Sequence, residues 1–186
     1  GDIKMEKKQY AKSLLEFLNK APTPFQSIEL LKEMLGKKGA VELSENGVWN
    51  LEKGGLYYYV KDGSQLVAFR MGTEDVAETG FRMSGAHHDY PGFRIKPAMS
   101  EIGGGFERIT VEPYGGMITR GWFDRPLSVA GRLCVRDGKG IKAVNINIHE
   151  PLLIIPSLAI HLNREVNENA KLSMQTDVLP FFCQND

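Results

Sequence analysis

The period of the hydrophobic residues changes near residue 40, and that change limits the architectures open to the chain. Before it, Leu14, Leu15, Phe17 and Leu18 form one stripe of the segment Tyr10 to Leu18, with charged residues behind them. Apolar residues three and four apart share one helix face, so the spacing predicts a first helix, interrupted by Ala21-Pro22-Thr23-Pro24. Thr23 is placed to cap a second helix with Pro24 in its first position, where a missing N–H costs nothing. The stripe Ile28, Leu30, Leu31, Met34 and Leu35 then runs to a stop at Gly36. From Ala40 onward the apolar runs are short and β-rich: Gly55 to Val60, Gln65 to Arg70, and Gly80 to Ala86. Asp62-Gly63, between the first two, supplies the left-handed backbone of a hairpin turn. Helices followed by a sheet predict an α/β domain.

A second texture begins after Pro97. Arg108 to Glu112, Leu133 to Arg136 and Ala143 to Ile148 read as strands, separated by turns at Gly103-Gly104-Gly105 and Asp137-Gly138-Lys139-Gly140. Only Ser157 to Arg164 suggests a short helix, so this half is expected to be mostly β. The division places one domain at 1–97 and a second at 98–186. A chain of 186 residues is long enough to bury a core and could form one large domain or two small ones.

Lys+Arg and Asp+Glu both number 23, so no net charge draws the chain to nucleic acid or to a membrane surface. No apolar run approaches the roughly 18 residues that span a bilayer, and Gly1-Asp2-Ile3-Lys4 lacks signal-peptide character. Cys134 and Cys183 match neither a CxxC pair nor a disulfide framework and suit a reducing compartment. A cytoplasmic protein is the expectation.

The sharpest chemistry lies in Ser84-Gly85-Ala86-His87-His88-Asp89-Tyr90-Pro91, where an apolar run ends. On an extended backbone alternate side chains share a face, so His87 and Asp89 point to one side and His88 to the other. A metal-bound histidine needs its second ring nitrogen held by an acceptor, and a neighbouring carboxylate supplies one. The plain alternative is a hydrogen-bonded pair at a strand end, and a bare His-X-Asp does not decide between the two.

The longer pattern carries more. His87-His88-Asp89-Tyr90-Pro91-Gly92-Phe93-Arg94-Ile95-Lys96-Pro97 resembles the aspartyl aminopeptidase segment in which His-X-Asp precedes an Arg-(aliphatic)-Lys-Pro run. Tyr114-Gly115-Gly116, Trp122-Phe123-Asp124-Arg125 and Ala130-Gly131-Arg132 are similar to further blocks of that family, as is Pro151 to Arg164. Ala21-Pro22-Thr23-Pro24-Phe25 suits the family's N-terminal helix pair, and the blocks follow in the expected order.

The resemblance implies the start of an α/β zinc-peptidase catalytic domain followed by a mostly β inserted domain that makes subunit contacts. It implies release of an N-terminal Asp or Glu from peptides by a homo-oligomer that uses two zinc ions. His87 is then a zinc ligand, Asp89 the carboxylate that orients it, and His161 the histidine that reaches a neighbouring subunit's active site. His88 takes the variable middle position without a role. Trp122-Phe123 is read as packing and Asp124-Arg125 as a pair holding a turn. The family's remaining ligands and general base have no match here, and His149, Glu150, Glu165 and Glu168 lack ligand spacing to His87. The chain alone is therefore expected to be inactive. The rival reading is a non-catalytic assembly module derived from the family; a metal-free hydrolase is weaker, because no Gly-X-Ser-X-Gly nucleophile motif is present.

Overall fold

The computed structural model describes residues 7–168 and 171–184; the leader reading of Gly1 to Lys4 falls outside them. Two compact units emerge, one made of Gly1–Asp89 with Ala130–Asn147, the other of Tyr90–Val129 with Ile148–Asp186.

The first unit contains the described α-helices. Helix α1 (Lys7–Lys20) and helix α2 (Pro24–Gly36) match the two predicted stripes. Thr23 caps α2 as expected, its hydroxyl accepting from the Phe25 N–H at 3.3 Å, with proline at the start of the helix. The stop differs slightly: Lys37 continues in right-handed backbone, and the left-handed residue that turns the chain is Gly39, φ 75°. The stripe of α2 buries Ile28 and, less expectedly, Ser27.

Beside the helices stands a three-stranded sheet of β1 (Val41–Glu42), β2 (Leu56–Lys61) and β3 (Gln65–Arg70), with β1 parallel and β3 antiparallel to β2. Tyr57 and Tyr58 on β2 are buried. Tyr57 pairs with Phe69, and its hydroxyl accepts from the Glu52 N–H at 2.8 Å. Asp62 and Gly63 both have positive φ, 51° and 65°, as the two central residues of a primed hairpin turn require.

The hairpin of β6 (Ala130–Asp137) and β7 (Gly140–Asn147) also belongs to this unit, although its sequence texture is that of the second half. Specific contacts explain why. Arg132 donates through Nη1 to the Asp62 carbonyl at 2.7 Å, and its guanidinium lies 3.9 Å above the centre of the Phe25 ring. Gln26 Nε2 donates to the Ile146 carbonyl at 2.7 Å. A Cβ at Gly63, which sits at φ 65°, would stand 1.9 Å from Arg132 Nη2, so that guanidinium would have to shift.

The second unit has no α-helix among its described residues. Its sheet is β4 (Gly92–Gly103), β5 (Phe106–Tyr114) and β8 (Phe181–Gln184), all antiparallel. The core joins Val111, Val178 and Leu179, with Phe93, Ile109 and Phe123 packed against them, and Ile155 is fully buried. Trp122 meets Phe93 edge to face at 5.4 Å, so the expected aromatic packing is present. Ser157 to Arg164 forms turns rather than the suggested helix. The bonds from Leu162 and Asn163 to the Ala159 carbonyl close one turn only, too short to propagate a helix.

Candidate metal centre

A short helix, α3 (Val76–Thr79), is capped by the Asp75 carboxylate and ends at Gly80, φ 65°. From there to Asp89 the chain leaves no regular element. The strand predicted at Gly80 to Ala86 finds no ladder partner among the described residues, and Met83 is 92% exposed. A β-prone run becomes a strand only where a neighbour supplies the ladder.

The side-chain alternation nevertheless holds. His87 and Asp89 meet: Nδ1 of His87 lies 2.9 Å from the Asp89 backbone oxygen and 3.1 Å from its Oδ1. Both partners can only accept, so Nδ1 carries the hydrogen and donates. In the neutral ring Nε2 then holds the lone pair, which is the arrangement of a ligating imidazole whose far nitrogen is fixed by a carboxylate. The His87 side chain is 85% exposed and that of Asp89 30%, so the coordinating edge is open while its support is half covered.

His88 turns the other way, into the first unit. Its Nδ1 lies 3.0 Å from Ser27 Oγ and its Nε2 3.0 Å from the Ser64 carbonyl oxygen. Sequence reasoning gave this residue no role, yet the same alternation that joins His87 to Asp89 points His88 at the scaffold. That signal was available; the identity of its partners was not.

The donor set fits one zinc ligand with its orienting carboxylate. Among the described residues no three His, Cys, Asp or Glu side chains come together as a metal-holding group. His149, Glu150, Glu165 and Glu168 are exposed, as are Cys134 and Cys183. No described helix is long and apolar enough to cross a membrane.

His161 belongs to the second unit, exposed on the turn at 159–163. That turn leaves a fixed base. Asp124, in left-handed backbone at φ 55°, accepts through Oδ1 from the Ser157 N–H at 2.8 Å and donates its own N–H to the Ile155 carbonyl at 2.9 Å. Hydrogen bonding from Ser157, through its side chain and its backbone, holds the Asp124 carboxyl below the ordinary range. Arg125 instead donates to the Gly121 carbonyl at 3.0 Å. The two residues each hold a turn, with separate partners for the contacts seen here. An apolar groove in this unit, lined by Phe106, Leu153, Ile154 and Phe181, includes none of His87, Asp89 or His161.

Residues 17–185 match the family model described as aminopeptidase I zinc metalloprotease (M18). The chain belongs to the M18 aminopeptidase family. Its M18 relatives include a probable M18 family aminopeptidase 2 of Clostridium novyi, 44% identical over 178 residues, which cover 92% of this chain and 40% of that protein. A chain in the cryo-EM structure of the Ape4 and Nbr1 complex is 33% identical with a TM-score of 0.86, over 96% of this chain and 35% of that one. The S. cerevisiae mApe1 dodecamer structure gives 28% identity and a TM-score of 0.74, over 96% of this chain and 49% of that one. The α/β architecture is thus that of M18 aminopeptidases, and the chain spans about 40% of the length of the curated M18 relatives it matches.

Proposed function

We propose that this chain supplies one metal ligand and part of the subunit-contact region of a zinc aminopeptidase that releases N-terminal Asp or Glu from peptides. The observation that carries the reading is His87, with Nδ1–H given to Asp89 and Nε2 left to coordinate, in a chain of the M18 family. His87 holds the metal through Nε2. Asp89 fixes the ring and raises its basicity by accepting from Nδ1–H. Two zinc ions, when bound, polarise the scissile carbonyl and lower the pKa of the attacking water. The catalytic part corresponds to residues 1–97 and the inserted, subunit-contacting part to residues 98–186, with the hairpin Ala130–Asn147 packed into the first compact unit. His161 serves a neighbouring subunit, a role favoured by its exposure and its anchored turn. Homo-oligomers and a cytoplasmic setting complete the reading, with peptides bearing an acidic N-terminus as substrate.

Hydrolysis of N-terminal aspartyl, glutamyl and leucyl substrates tests this, using the present chain and a chain extended to the length of its M18 relatives. The extended chain should prefer the acidic termini, depend on zinc and lose turnover in His87→Ala. The present chain should show none. Equal rates on leucyl substrate would refute the specificity, and zinc-dependent turnover by the present chain would refute its inactivity.

A further inference from the structure

We propose that His88 is the positioning residue that fixes the conformation of the His87–Asp89 pair, by tying the backbone between them to helix α2 and to the β2–β3 turn. The inference rests on the reading of that pair as the metal site, and its chemistry is set by the partners. The Ser64 carbonyl can only accept, so His88 Nε2 carries the hydrogen and donates to it at 3.0 Å. In the neutral ring Nδ1 is then an acceptor, and the Ser27 hydroxyl, also at 3.0 Å, donates to it. Both ring nitrogens are thereby used, and the tautomer is the opposite of the one at His87, where Nδ1 bears the hydrogen.

The anchors at both ends are rigid. Ser27 is 1% exposed, beside Ile28 in α2, and its N–H is committed to the Thr23 carbonyl at 3.0 Å. A hydroxyl so buried needs a partner, and His88 is that partner. Ser64 closes the turn with its N–H on the Lys61 carbonyl at 3.1 Å, and the turn is gripped again by Arg132 on Asp62. The segment leading to the pair has no ladder partner among the described residues, so these side-chain bonds do what a sheet would otherwise do for the backbone at 87–89. A metal ligand must be held in a narrow range of orientation to bind well, and His88 supplies that restraint without facing the metal.

The experiment is NMR on the isotopically labelled 186-residue chain, with zinc affinity measured separately on a chain extended to the length of its M18 relatives. Ring ¹⁵N shifts should show His88 as the Nε2–H tautomer and His87 as the Nδ1–H tautomer, with backbone order parameters at 87–89 near about 0.8. In His88→Ala those order parameters should fall below about 0.6 and His87 should lose its single tautomer. His88→Gln, which keeps a donor within reach of Ser64, and Ser27→Ala, which removes only the other anchor, should each fall between. In that extended chain zinc binding should weaken about tenfold in His88→Ala, the lower end of what losing a group that orients a metal-bound histidine costs. Unchanged order and tautomer at His87 in all three variants would overturn the positioning role. Zinc affinity of the extended chain unchanged by His87→Ala, with the His88 and Ser27 variants behaving as expected, would overturn the metal reading alone.

Discussion

His87 and His161 are both exposed histidines, but the backbone beneath each is held by different means. Under His87 the restraint is a side chain: His88 reaches a buried serine hydroxyl on α2 and a turn carbonyl, partners 61 and 24 residues away in sequence. Under His161 it combines one backbone bond with one surface carboxylate. Asp124 exchanges bonds with Ile155 and Ser157, and Ile155 itself is fully buried. The first device depends on polar groups matched inside a core and tolerates little change. The second depends on a buried aliphatic segment and one surface carboxylate, so it should loosen in steps.

The largest effect is expected where the first device is tightest. Gly63→Ala places a Cβ into the Arg132 guanidinium and onto left-handed backbone, beside the Ser64 carbonyl that His88 uses. Denaturant unfolding should show a loss of about 1–3 kcal/mol, and the His88 ring signals should shift with it. No loss of stability would mean that the turn is not rigid and that the contrast between the two regions is false.

A smaller effect is expected on acidification. The Asp124 carboxyl is held down in the folded chain, so its contribution is present above its unfolded value of 3.8 and is lost as pH falls through the lower folded value. Amide exchange at Ser157, corrected for its intrinsic pH dependence, should therefore accelerate only below about pH 4. Asp124→Asn should show no such acid step. A wild-type step near neutral pH would assign the latch to another group.

The smallest effect is expected from His161→Ala. An exposed residue on a turn fixed elsewhere should change stability by no more than about 0.5 kcal/mol. A larger loss would make His161 a structural residue and weaken the reading in which it serves a neighbouring subunit.

What the sequence made legible follows from the range of the forces involved. The two helices, the Thr23 cap and the Asp62-Gly63 turn depend on neighbours a few residues away, and all are present. The His87–Asp89 contact is equally local and followed from strand alternation even though no paired strand forms there. The misses are matters of distant partnership. β propensity at Gly80 to Ala86 could not tell whether a ladder neighbour would be supplied. At Ser157 to Arg164 only the turn at 159–163 closes, and the rest of the segment finds no helical bonds. Ser27, Ser64, Asp62 and Phe25 could not be assigned to His88 and Arg132 without the fold.

The most direct test of His87 as a zinc ligand is the metal content of a chain extended to the length of its M18 relatives, measured for the wild type and for His87→Ala after the same dialysis. The wild type should retain zinc and the variant should lose it, with turnover of an N-terminal aspartyl substrate falling in step. Zinc content and turnover unchanged in the variant would contradict the assignment.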